Sequence, residues 1–109
     1  MREVDALAED TGDLSRRSSW FGRYAHMVDD PDWIRHREHG FQYVIMGQAP
    51  EIDGFFLHDL DLGLLWTRAD LYPWIYDIHG GEWIHYFRGT GADGQRIFFS
   101  LTTGWKFVD

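Results

Sequence analysis

The chain lacks several residue classes that build common functional sites. None of its 109 residues is cysteine, which excludes disulfides and thiolate metal ligands. No apolar stretch approaches the roughly 20 residues of a membrane-spanning helix, so we expect no membrane insertion. Basic residues are scarce, since 10 Lys and Arg stand against 18 Asp and Glu, giving a net charge of −8. A broad basic surface for a nucleic acid is therefore not expected.

The N-terminal segment differs from the rest of the chain. "MREVDALAEDTGDLSRR" contains no apolar core of the kind that signal peptides carry. No aromatic residue precedes Trp20, and Val4, Leu7 and Ala8 could support only a short amphipathic helix. Residues 1–19 are therefore predicted to be a polar N-terminal tail or a short helix. Residues 20–109 are predicted to form one aromatic-rich domain.

Aromatic residues and glycine are abundant in this domain. Aromatics make up 17% of the chain, and 12 residues are glycine against 3 prolines. Aromatic side chains favour strands, and glycine favours tight turns. Residues 20–28 are read as an opening strand that stops at an Asp-Asp-Pro turn signal.

A twelve-residue pattern then recurs along the chain. It appears as "WIRHREHGFQYV" at 33–44, "FLHDLDLGLLWT" at 56–67 and "IFFSLTTGWKFV" at 97–108, each with glycine in the eighth place. A fourth stretch, "WIYDIHGGEWIHY" at 74–86, fits its first eight residues. The glycines suit the left-handed position of a hairpin turn, and short polar side chains four residues earlier suit turn capping. The predicted turn residues are Gly40, Gly63, Gly81 and Gly104, with Asp59, Asp77 and Ser100 as caps and His36 at the equivalent place of the first unit.

Such hairpins fix which residues face each other. The residue seven before the glycine lies across from the residue three after it, which pairs Trp33 with Tyr43, Phe56 with Trp66, and Ile97 with Phe107. Four degenerate hairpin repeats and an opening strand predict an all-β, antiparallel fold of about eight or nine short strands. A meander sheet, a small barrel and a short solenoid all fit this pattern.

The order of these units resembles a known module. "WIRHREHGFQYV", "FFLHDLDLGLLWTRADLYPWIY", "GGEWIHYF" and "IFFSLTTGWKF" are similar to a Trp/Gly-rich hairpin-repeat module near the C-terminus of large exported proteins of marine Verrucomicrobia-type bacteria. The resemblance covers about residues 19–109. It implies an appended, non-catalytic module on envelope or extracellular proteins, whose function is undefined. There is a looser likeness to the cell-wall and choline-binding repeats of Gram-positive surface proteins.

The aromatic residues are the main candidates for ligand or partner contact. Aromatic faces stack on sugar rings and on quaternary ammonium groups. The same rings are also candidates for the core of a small β domain with few aliphatic residues. The candidate contact residues are Trp33, Tyr43, Trp66, Trp74, Trp83 and Trp105.

Catalytic and metal-binding patterns are absent from the sequence. No HExxH or GxSxG motif occurs, so we expect no enzyme activity, no metal site and no cofactor. The sequence favours a binding or attachment module that recognises a glycan or cell-envelope polymer through exposed aromatics. The alternative is a structural subunit or oligomerisation domain that meets a protein partner through its aromatic face and sheet edge. A metal-dependent hydrolase using His36, His58 or His85 is the third reading.

Overall fold

The protein is a sheet of short strands joined by tight turns. The computed structural model describes residues 8–12, 15–18, 20–30, 32–45 and 54–109. Within them lies one short 3₁₀ helix, Gly91–Asp93. The strands are β1 (Ala8–Gly12), β2 (Ser15–Ser18), β3 (Gly22–His26), β4 (Trp33–His36), β5 (Gly40–Ile45), β6 (Phe55–Asp59), β7 (Gly63–Thr67), β8 (Trp74–Asp77), β9 (Glu82–Tyr86), β10 (Arg96–Ser100) and β11 (Gly104–Val108).

All eleven strands belong to one antiparallel meander sheet in chain order, which confirms the all-β class. The barrel and solenoid alternatives are wrong. β1 and β11 do not pair in the described part of the chain, and the hairpins share one continuous ladder instead of stacking as separate layers. In those same residues no helix is long and apolar enough to cross a membrane.

The strand number also differs from the expected eight or nine. The two extra strands, β1 and β2, occupy described parts of the segment expected to be a tail or short helix. Residues 1–7 of that segment lie outside the described residues. β2 pairs with both β1 and β3, so its backbone N–H and C=O groups have hydrogen-bond partners. This pairing does not require apolar side chains, and a polar segment can therefore form a strand here.

The hairpin turns follow the repeat. φ is +74° at Gly40, +80° at Gly63, +68° at Gly81 and +86° at Gly104, which is the left-handed region that glycine tolerates. The residue four before each glycine accepts hydrogen bonds from backbone N–H groups of its turn. The acceptors are Asp59 Oδ1, Asp77 Oδ1, Ser100 Oγ and His36 Nδ1.

A further turn of this kind precedes β3. The Ser18 hydroxyl accepts a hydrogen bond from the N–H of Phe21 at 3.0 Å, and Gly22 has φ of +100°. Ser18 thus stands four residues before its glycine, as the caps of the other units do. The reading of residues 20–28 as one opening strand is therefore corrected, since Trp20 and Phe21 form the turn and β3 begins at Gly22.

The predicted cross-strand pairs are confirmed. Trp33 is the register partner of Tyr43, Phe56 of Trp66, and Ile97 of Phe107. Because strand residues alternate between faces, these pairs also define which face of the sheet each neighbouring residue occupies.

One face of the sheet is buried. Aliphatic residues alternate along the central strands on this inner face, and Ile34, Leu57, Leu65 and Ile84 are almost fully buried. The core also contains Val44 and Ile75 and the aromatic residues Trp20, Phe21, Tyr24, Tyr72, Tyr86 and Phe98. A single sheet can bury one face only by curling, and contacts between distant strands show this curl. The rings of His39 and Tyr86 lie 4.4 Å apart between centroids, and Arg88 donates to the carbonyl of Trp20.

Candidate functional site

The aromatic residues predicted to make contacts all lie on the outer face of the curled sheet. Five of the six strand positions alternate with buried residues of the inner face, and Trp105 alternates with half-buried residues in β11. Trp105 is 59% exposed and Trp83 is 40% exposed, whereas Trp33, Tyr43, Trp66 and Trp74 are partly buried by neighbouring rings. The core alternative therefore does not describe these six residues, because the inner face is filled by other side chains.

A row of rings crosses the middle of the outer face. Phe56, Trp66, Tyr76 and Trp83 are successive register partners on β6, β7, β8 and β9. The rings of Tyr76 and Trp83 stand edge to face with centroids 5.1 Å apart, and Trp66 and Trp83 are 6.2 Å apart. Edge-to-face packing fixes the ring orientations, so the row is a pre-formed surface.

A second cluster lies at the β11 end of the sheet. Trp105 packs against Phe87, Phe99 and Phe107 with centroid distances of 5.4, 5.0 and 6.5 Å. Phe87 and Phe107 are themselves exposed, and the planes of Trp105 and Phe107 differ by only 20°. Sequence reasoning paired Phe107 with Ile97 but did not propose Phe87, Phe99 or Phe107 as contact residues. The signal that could have identified them is the two-residue spacing along the chain: Phe87 follows His85, Phe99 follows Ile97 and Phe107 follows Trp105, each at the next outer-face position.

The outer face carries almost no charge. Along β4–β11 its strand positions hold no Asp, Glu or Lys, and Arg35 is the one Arg among them. Among the described acidic residues of this region, Asp59, Asp77 and Glu82 are buried on the inner face, and Glu38, Asp61 and Asp70 lie in turns. The outer surface of an acidic protein is thus an uncharged aromatic surface over most of its width.

The buried polar residues form a structural network. Arg96 donates two hydrogen bonds to the Asp59 carboxylate, at 2.8 and 3.0 Å, and Gln42 donates a third at 2.8 Å. Burial favours a higher pKa for Asp59, but these hydrogen bonds outweigh it and the pKa is lowered. Arg96 also donates to Nδ1 of His39, whose Nε2–H donates to the Tyr72 hydroxyl at 2.8 Å. The network connects β6, which carries Asp59, with β10, which carries Arg96. Because both side chains are buried, a ligand has no access to it.

The histidines named for a hydrolase do not converge. His36 is buried on the inner face, whereas His58 and His85 lie on the outer face of β6 and β9, with two strands between them. No group of three or more His, Asp or Glu in the described ranges is placed to hold a metal ion. The buried His36 instead caps its turn.

Comparisons of the chain with protein-family models, curated proteins and solved structures give no match.

Proposed function

We propose that the protein is a non-catalytic binding module that attaches to a glycan or cell-envelope polymer through the outer aromatic face. The observation that carries this proposal is the placement of all six candidate residues on the outer face, where the strand positions of β4–β11 hold no carboxylate. The resemblance to a module of exported proteins also supports it and suggests a role in the cell envelope or outside the cell.

Rigid rings suit this role physically. Sugar rings present flat patches of C–H groups, which pack on the electron-rich faces of indole and phenyl rings. Trp and Tyr provide large contact areas at low cost in side-chain entropy, because only two torsions must be fixed. The ring contacts within the rows already restrict these torsions, so binding requires little further ordering.

Two tryptophan variants test the proposal. We expect a glycan array to identify a bound polysaccharide, and Trp105→Ala and Trp83→Ala each to weaken its binding at least tenfold, because exposed rings supply the contact. Leu101→Ala is the matched control, since this turn residue is also an exposed apolar side chain at 79%. Binding that is unchanged in both tryptophan variants, or absent for every glycan tested, would refute the proposal.

A second function is favoured by the edge of the sheet. Within the described chain β11 pairs only with β10, so one side of its backbone can accept another strand, and Trp105 and Phe107 are exposed beside it. Oligomerisation through this edge predicts a fixed oligomer in light scattering that Phe107→Glu converts to a monomer. A monomer over the whole concentration range would exclude this second function.

A further inference from the structure

Three arginines gather on the outer face at the N-terminal end of the sheet. Arg23 lies in β3, Arg35 in β4, and Arg37 directly after β4. The N–H of Arg37 donates to the carbonyl of Arg23 at 2.9 Å, and Ala25 is the register partner of Arg35. All three arginines are exposed, so their guanidinium groups project from neighbouring backbone positions on one face.

No carboxylate of the described residues forms an ion pair with these three arginines, although the chain is rich in acidic residues, with 18 Asp and Glu. Other basic side chains do have carboxylate partners: Arg68 with Asp70, Arg96 with Asp59 and Asp61, and Lys106 with Asp77 and Glu82. Like charges that face each other across strands destabilise a sheet. The cluster is therefore unfavourable for the protein alone and suited to an external anion.

The arginines line a shallow groove with a volume of about 410 Å³. Ser15 and Ala25 form part of its floor, and none of the described residues that line it is Asp or Glu. Beyond the groove, Arg17 lies across from Arg23, and Glu9 of β1 is the register partner of Arg17. The groove itself is thus cationic and open to solvent.

The groove is continuous with the aromatic face. Phe41 of β5 is the register partner of Arg35, and the guanidinium carbon of Arg35 lies 5.8 Å from the centre of the Phe41 ring. Phe41 is exposed and Trp33 and Tyr43 follow it on the same face. A polymer lying on the rings can therefore reach the arginines without crossing a barrier.

We propose that the arginine groove binds an oxyanion of an acidic polysaccharide whose uncharged parts lie on the aromatic face. This inference rests on the proposed function and specifies its ligand class as acidic glycans. Guanidinium groups bind carboxylate, sulfate and phosphate oxygens in a forked geometry, which supplies the recognition at the groove. The anionic group is a uronate carboxylate or an ester on the sugar, and the shared chemistry is an oxyanion on a sugar chain.

The charge distribution favours an acidic glycan over a single-stranded nucleic acid. A nucleic acid carries one phosphate on every nucleotide and therefore requires cations along its whole path. Outer strand positions of β5–β11 hold no Lys or Arg, so only the N-terminal end of this face can neutralise a phosphate backbone. A polymer with sparse anionic groups matches a surface that has three arginines at one end and rings elsewhere.

Calorimetry with matched polymers tests the inference. Dextran sulfate and dextran share one sugar chain and differ in charge, and polygalacturonate supplies carboxylates instead of sulfates. We expect dextran sulfate or polygalacturonate to bind the wild-type chain at least tenfold more tightly than dextran. We also expect this binding to weaken at least tenfold in the combined variant Arg23→Gln, Arg35→Gln, Arg37→Gln. Arg68→Gln is the control, because it removes an arginine outside the groove.

The possible outcomes separate this inference from the function on which it rests. Neutral glycans that bind through Trp105 and Trp83, with no preference for acidic polymers, would overturn the inference and leave the proposed function intact. Failure of all glycans would overturn both. Tighter binding of oligo(dT) than of either acidic polymer at equal salt would replace the glycan with a nucleic acid. The salt dependence of binding tests the same contact in the wild-type chain alone. We expect the logarithm of the association constant for the acidic polymer to fall with the logarithm of the salt concentration, at a slope of about −2 to −3. A slope of zero would contradict an arginine contact.

Discussion

Acid should destabilise the fold through His36. Its Nδ1 accepts hydrogen bonds from the N–H groups of Glu38 and His39 at 3.0 and 3.2 Å. Its Nε2 lies 2.6 Å from the carbonyl oxygen of Phe21 and must therefore carry the proton. The neutral imidazole satisfies all three partners, and a proton added at Nδ1 breaks both turn hydrogen bonds.

The magnitude follows from the pKa of His36. Burial lowers this pKa from 6.5 to about 4, although the Phe21 hydrogen bond and the charge of Glu38 act in the opposite direction. Because the unfolded chain takes up the proton at higher pH, the stability that His36 contributes is complete above about pH 6.5 and is lost as pH falls to about 4. The difference of about 2.5 pKa units corresponds to roughly 3 kcal/mol. Burial also lowers the pKa of His39, which adds to the loss in the same direction.

Urea unfolding followed by tryptophan fluorescence measures this effect. Between pH 7.5 and pH 4.5 we expect the free energy of unfolding to fall by about 2 kcal/mol or more. His36→Asn is the matched control, because an Asn side chain can cap the turn as Asp59 does but does not titrate. This variant should be less stable at pH 7.5, since it loses the bond to Phe21, and its stability should depend less on pH. An equal pH dependence in the wild type and in His36→Asn would refute the reasoning.

Three further predictions concern stability and use the same unfolding assay. Ile84→Ala should lower the free energy of unfolding by about 2–5 kcal/mol, because it opens a cavity in the core. Leu101→Ala, in an exposed turn, should change it by less than about 0.5 kcal/mol. Equal effects would contradict the assignment of Ile84 to the buried face. Arg96→Ala should cost about 3–5 kcal/mol, since it leaves a buried carboxylate without its partner, and a neutral effect would exclude the buried pair. Gly63→Ala should cost about 1–2 kcal/mol from backbone conformation alone, because its Cβ has free space, whereas Gly91→Ala should be more harmful because its Cβ would collide with the carbonyl oxygen of Glu38.

The local architecture of the hairpins was largely predictable from the sequence. Glycine fixes the left-handed position of each turn, and the cap four residues earlier fixes where the strand ends. Together they set the register, which is why the partners of Trp33, Phe56 and Ile97 could be named from spacing alone. The turn at Gly22 follows the same rule, with Ser18 as its cap, and was missed because Arg23 and Ala25 stand where the twelve-residue repeats carry large apolar side chains.

The curl of the sheet and the burial of its faces were not predictable in this way. Alternation separates the residues of a strand into two sets, but it does not state which set is buried. The aromatic residues were candidates for both roles on composition. The contacts that close the inner face, such as those of Arg96 with Asp59 and Tyr86 with Glu38, join residues 37 and 48 positions apart in the chain and have no local sequence signal.

The spacing of the repeat nevertheless explains why the rings face outward. A residue four before the turn glycine and a residue six before it share one face, as Asp59 and Leu57 do before Gly63. The aliphatic residue buries apolar area on that inner face, and the polar cap is buried beside it at little cost because the turn amides satisfy it. In the three twelve-residue repeats, the residues one and three after the glycine must then occupy the other face, where the sequence places Trp105 and Phe107 after Gly104. A contiguous exposed apolar surface of this kind is typical of a site that binds a ligand or a partner. In "TTGWKFVD" the turn requires glycine at position 104, and this fixes Trp105 and Phe107 on the outer face, where they are exposed. The proposed ligand would cover these two exposed rings.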